Sequence, residues 1–256
     1  MGFYDLSKEA REQLVEKINR ELHEDIAAQS QQYLLLYFSD EDTYIRKTAY
    51  LAIGRLYKAQ PKRRMAILKV LGKLLRADLE KIRQTVVNAA GEIGMLHFKE
   101  VQAFFDTALF DSHHTVRNAV IGSVKKMSAK NPVPVLAWAK TYLEHPNKEI
   151  RREICHGIEL RGRTHPQDIL PLLAQLQFDA TARVRNTLIH VLGQIAYKKG
   201  CLETVMEALK YWENKALVAA AIDEIIDVHH RYRSFSHYTQ EQAIAYIDRV
   251  NILKKK

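Results

Sequence analysis

The chain has 256 residues, with 39 Lys and Arg against 30 Asp and Glu, a formal net charge of +9. Apolar residues make up 47% and charged residues 27%, a balance that excludes disorder for the bulk of the chain. Without Lys254, Lys255 and Lys256 the charge is still +6 (9 − 3), so the basic excess runs through the chain and favours polyanion partners, nucleic acid foremost.

In chain order, helical periodicity predicts an opening helix from Leu6 to Arg20, with Ser7 as N-cap, and a second from Asp25 to Phe38. Asp42 caps a helix over 43–58; Pro61 opens one reaching Arg76; another spans Leu79 to Met95. Helical pairs follow at 98–110 with 115–127, 132–143 with 148–161, 166–178 with 181–197, and 201–211 with 213–230. A closing helix runs from Thr239 to about Leu253. No alternating strand pattern competes over a comparable length. Cys155 and Cys201 lack metal-type spacing, no run of eighteen apolar residues occurs, and the start does not look like a signal peptide. The expectation is a cytoplasmic protein with no membrane partner.

The paired helices repeat. A branched apolar residue precedes arginine at Ile45-Arg46, Ile82-Arg83, Val116-Arg117, Ile150-Arg151 and Val184-Arg185, and from Arg83 the spacing is 34 residues three times running. Pro132 and Pro166 are also 34 apart, each in the first turn of a first helix, where a missing N–H costs nothing. A fixed period of this length marks a stacked repeat array. The predicted fold is all-α: one right-handed α-α superhelix over residues 1–256, about six hairpins with capping helices at 1–20 and 239–253.

Counting from each repeated arginine, positions −1, +3, +4 and +7 are largely apolar, as in Val116, Val120, Ile121 and Val124. Positions +1 (Lys47, Gln84, Asn118, Arg152, Asn186) and +5 (Leu51, Asn88, Gly122, His156, His190, Glu224) fall on another face and define a polar stripe, predicted to line the concave side.

These features resemble HEAT repeats, in which an acid precedes the second helix and Val-Arg opens it. The resemblance implies a hydrogen-bonded ladder between repeats, here built from Asp40, Arg46, Arg83, Asp111, Arg117, Arg151, Asp179 and Arg185. Tetratricopeptide repeats share the period, but their Trp-x-x-Leu-Gly-x-x-Tyr pattern is missing. A narrower similarity covers about Ser112 to Leu173. The run Val116-Arg-Asn-Ala-Val-Ile-Gly-Ser-Val-Lys-Lys-Met, with Trp138, Arg151-Arg152, Cys155-His156 and His165-Pro166, resembles the HEAT-like AlkC/AlkD-type alkylpurine DNA glycosylases. That resemblance implies duplex DNA held against a basic concave face and a carboxylate that supports a cationic sugar, usually with tryptophan beside it. Ser123 stands where the resemblance would supply a wall tryptophan, and no acid matches the family's carboxylate by motif.

The candidate binding residues are Asn118, Lys125, Lys126, Arg152, His156, Arg161, Arg163, Asn186 and His190. Glu159 is the catalytic candidate, as the carboxylate available beside Arg152 and His156; an ordinary solvated helix face with an Arg–His–Glu network is the competing reading. The loop from Arg161 to His165 reads equally as a phosphate clamp or a plain turn. His229-His230 with Arg231, Arg233, Phe235, His237 and Tyr238 suits base stacking or the capping of an array end. Adjacent histidines such as His113-His114 diverge by about 100° on a helix, so no metal and no cofactor is expected. The sequence favours a non-catalytic binding scaffold, for nucleic acid or a protein partner, over a DNA alkylation-repair glycosylase or a pure protein scaffold.

Overall fold

The computed structural model describes residues 2–250; the expected end of the closing helix at 251–253 and the first residue of the opening segment lie outside them. No strand occurs among the described residues, and none of their helices is long and apolar enough to cross a membrane. The chain divides between Asn131 and Pro132 into two compact units.

The first unit contains α1 (Lys8–Ala28), α2 (Gln32–Phe38), α3 (Thr43–Ala59), α4 (Arg64–Leu74), α5 (Glu80–Ala108) and α6 (His114–Lys130). Ser7 caps α1 by accepting the Ala10 N–H at 3.2 Å, as its sequence position predicts. Asp25 does not open the second helix. It lies buried in the last turns of α1, which ends at Gln29 in the left-handed region (φ 56°). From there its carboxylate accepts from Ser30 Oγ at 2.5 Å and from the Leu34 N–H at 2.7 Å. A buried acid thus supplies the capping acceptor that α2 lacks in its own sequence. The two helices expected at 79–95 and 98–110 run together as α5, broken only at His97 (φ −128°, ψ 50°). The arginine-bearing α3, α5 and α6 pack side by side, with Phe38, Tyr57, Phe98 and Phe105 fully enclosed.

The second unit contains α7 (Pro132–Leu143), α8 (Lys148–Gly157), α9 (Glu159–Gly162), α10 (Pro166–Leu173), α11 (Ala182–Gln194), α12 (Cys201–Leu209), α13 (Lys215–Arg231) and α14 (Gln240–Val250). Here α8, α11 and α13 form one layer, while α7, α10, α12 and α14 form the other. Each layer alone exposes an apolar face, and stacking buries it: Ile154, Leu173, Leu188, Leu209 and Val218 are all at most 1% exposed. A fully buried Leu, Val or Ile contributes about 1.5–3 kcal/mol. The single helix expected over 148–161 is interrupted at Ile158 (φ −88°, ψ −5°), which separates α8 from α9.

Two of the repeated arginines, Arg83 and Arg151, do two jobs. Arg83 and Arg151 each turn Nη1 onto the two carbonyls that precede their own helix: Ala77 and Asp78 at 2.8 and 2.7 Å, and His145 and Pro146 at 2.7 and 3.0 Å. The remaining edge forks onto a carboxylate 28 residues on. Arg83 Nε and Nη2 donate to Asp111 at 2.7 and 3.0 Å, and Arg151 Nε and Nη2 donate to Asp179 at 2.5 and 3.0 Å. Each aspartate also caps its own loop, accepting the His113 N–H at 2.8 Å and the Thr181 N–H at 2.8 Å. Arg46, Arg117 and Arg185 repeat the carbonyl contacts, to Asp40, Asp111 and Asp179 respectively. The Asp40 carboxylate accepts the Asp42 N–H at 2.7 Å.

Burial raises the affinity of Asp111 and Asp179 for protons, but the guanidinium and N–H donors outweigh it, so both carboxyls lie below the usual range. A carboxyl depressed in the folded state contributes stability above its unfolded value, about pH 3.9, that is lost as pH falls through the folded value. Asp179→Asn is therefore expected to cost about 2–4 kcal/mol at neutral pH. In urea unfolding curves the gap to the wild-type chain should narrow below about pH 4. A gap unchanged down to pH 2 would exclude the ion pair as its source.

Candidate nucleic-acid interface

In the second unit, four residues of α11 recur at i, i+3, i+4 and i+7: Arg183, Asn186, Thr187 and His190. Helix α8 faces them with Glu149, Arg152 and His156, spaced three and four. Between the two helices opens a groove of about 440 Å³ lined by Arg152, His156, Arg183, Asn186, Thr187 and His190. Every one of these side chains offers a hydrogen-bond donor, and none is acidic. The rings of His156 and His190, one repeat apart, meet edge to face with centroids 5.9 Å apart.

The groove's cations are held in place by one carboxylate at its edge. Glu149 Oε2 lies 3.0 Å from Arg152 Nε, and its Oε1 lies 3.2 Å from Arg183 Nη1. Arg152 also approaches Glu153 at 3.5 Å, while the Arg183 side chain remains 64% exposed.

Glu159 is placed differently from the sequence expectation. Because the helix breaks at Ile158, its side chain is 1% exposed and does not line the groove. His156 Nε2 lies 3.1 Å from its Oε2, and Arg163 Nε donates to its Oε1 at 3.0 Å, with Arg163 Nη2 on the same oxygen. Arg163 also donates to Gln194 Oε1 at 2.9 Å. Arg161 pairs with Asp168 (Nε to Oδ2 at 2.7 Å), so both arginines of the expected 161–165 loop are turned onto carboxylates of their own unit. The segment is also not all loop, since α9 reaches Gly162.

In the first unit, Asn118 is exposed on α6, and Lys125 is half-buried on the same helix. Lys126 pairs with Glu92 at 2.9 Å and lies 5.5 Å from the Tyr50 ring. Ser123 is not a wall residue. It is 2% exposed, its hydroxyl donates to the Val87 carbonyl at 3.3 Å, and a Cβ built on Gly91 would fall 2.5 Å from its Oγ. The absent side chain of Gly91 lets α5 and α6 approach here, so no room exists for tryptophan. Trp138 is buried in α7, tilted against Tyr142 at 5.1 Å.

The basic-aromatic stretch after α13 folds back on the unit: Tyr232 stacks on Tyr197 at 5.4 Å, and the His237 N–H donates to the Tyr197 carbonyl at 2.9 Å. His229 is enclosed, with Nδ1 2.8 Å from the Ile225 carbonyl; burial holds its imidazole below the usual range. Arg183, Thr187 and Glu149 were missed from sequence, although the i, i+3, i+4, i+7 run through 183, 186, 187 and 190 was there to be read.

The fold so described is a HEAT-like array of helical hairpins. Among solved structures, AlkD2 from Streptococcus mutans is similar over 78% of this chain and 97% of its own, at 18% identity, with a TM-score of 0.56. The structure titled smu.31 from Streptococcus mutans UA159 matches 81% of this chain and 97% of its own at 19% identity, with a TM-score of 0.46. The likeness to AlkD2 shows the fold, that of the HEAT-like AlkD type. No protein-family model matches the sequence, and no curated protein matches it.

Ser123→Trp tests the placement of that position. Overpacking the α5–α6 contact is expected to cost about 1–3 kcal/mol or more, read as a lower Tm. A variant as stable as the wild-type chain would return position 123 to the exposed wall.

Proposed function

We propose that the chain is a non-catalytic nucleic-acid-binding repeat protein that grips the phosphate backbone through the α8–α11 groove. The observation that carries this reading is the lining itself: two arginines, two histidines, Asn186 and Thr187 converge with no carboxylate among them, on a chain of net charge +9. Guanidinium groups suit phosphate because their planar donors match two oxygens at once. Glu149 then acts as an internal counterion. It holds Arg152 and Arg183 in the groove, and an incoming phosphate replaces it. Asn186 and Thr187 add sequence-independent backbone contacts from the same groove.

Base excision is less well supported. A carboxylate that stabilises a cationic sugar must face the bound nucleotide, whereas Glu159 is enclosed and held by Arg163 and His156. Its role in this reading is to brace His156 from behind. A protein partner is the competing occupant of the groove, and salt dependence separates the two.

Affinity for a short DNA duplex, followed by fluorescence anisotropy, is expected to fall steeply with salt, log Kobs losing about 0.9 per phosphate contact for each decade. Arg152→Glu and Arg183→Glu should each weaken binding about tenfold or more, roughly 1.4 kcal/mol. Glu149→Gln should tighten it by releasing both guanidinium groups. Absence of duplex binding, or tighter binding by neither Glu149→Gln nor weaker binding by either arginine variant, would move the assignment to a protein-binding scaffold.

A further inference from the structure

One ligating atom from each of His156, Glu159 and His190 lies within 4.8 Å of the other two. The two histidines occupy the same position of consecutive repeats, 34 residues apart, so the periodicity of the array itself brings them together, edge to face. The geometry points to a divalent transition-metal site, zinc by its donor class, formed by His156, Glu159 and His190.

Two neutral imidazoles and a carboxylate form a donor set suited to zinc, with one position left for water or an anion. Bond lengths of about 2.0–2.2 Å place donors about 3.3–3.5 Å apart in a tetrahedron. His156 Nε2 and Glu159 Oε2 already stand at 3.1 Å, and a ring nitrogen of the half-buried His190 lies within 4.8 Å of a ligand atom on each of the other two. Outer contacts of the kind that orient metal ligands are present on both sides. Arg163 holds Glu159 by Oε1, and Glu224 Oε1 lies 3.5 Å from His190 Nδ1.

Nearby guanidinium charge opposes a cation, but each of these arginines has a carboxylate partner: Arg152 and Arg183 on Glu149, Arg163 on Glu159, and Arg231 on Glu224 and Asp227. The adjacent pairs His113-His114 and His229-His230 contribute nothing to the set. His156 and His190 also line the donor-rich groove, whereas Glu159 lies behind it.

Metal binding is measured without nucleic acid, so its failure leaves the phosphate-binding reading untouched. The chelator-stripped full chain is titrated with zinc by calorimetry and with cobalt by visible absorption. One equivalent of zinc should bind, and cobalt should give the intense d–d bands of a four-coordinate site. His190→Ala should weaken binding by more than about 100-fold, and Glu224→Gln by about 10–100-fold, as for an outer-shell partner. His230→Ala should leave it unchanged. His190 carries the test because it is half-exposed, so its replacement spares the core, whereas loss of the enclosed Glu159 threatens folding. No stoichiometric binding, or a folded His190→Ala chain that binds zinc like the wild type, overturns the site and leaves only the His156–Glu159 contact.

Discussion

The fork between an arginine and an aspartate 28 residues on, seen at Arg83–Asp111 and Arg151–Asp179, is the contact on which the rest of each unit depends. Apolar burial between stacked helical hairpins is non-directional and by itself does little to fix their register. A bidentate guanidinium–carboxylate pair does not tolerate a shift of even one residue. The same arginine is tied to two carbonyls before its own helix, and the same aspartate caps its own loop. Each fork therefore locks the start of one second helix to the start of the next.

That lock is what aligns α8 with α11. With Arg151 and Asp179 joined, Arg152 and Asn186 come to one side, His156 and His190 meet, and Glu149 bridges Arg152 to Arg183. The groove is a by-product of repeat register: polar residues that are merely periodic in sequence become neighbours in space. Its charge is balanced at rest, since Glu149 holds both Arg152 and Arg183 and Glu153 lies 3.5 Å from Arg152. A balanced site costs little to keep folded and becomes strongly basic only when its own counterion is displaced.

Glu159 shows how far a helix pattern can mislead. Spacings of four and three from Arg152 place it on the same face of an unbroken helix, and the exposed network so expected was reasonable. The break at Ile158 turns the chain inward instead, and Arg163, four residues on, closes over the carboxylate. Nothing in the local residues announces that break: Gly157 precedes it, but glycine sits within intact helices elsewhere, as at Gly122. Ser123 is a second case. The family resemblance puts that position on the wall, yet α5 and α6 approach closely at Gly91 and enclose it.

By itself the sequence determined the all-α hairpin array, the 34-residue period of the repeated arginines, and the helical stretches that carry His156 and His190. These are properties of local periodicity, and a few residues suffice to express them. Only the tertiary structure decided which arginines face the groove, that Glu159 is enclosed, and that the two histidines and that carboxylate converge. Such facts depend on the angle and spacing between helices distant in sequence, which are set by the summed packing of the layers and leave no signature in any single stretch of chain.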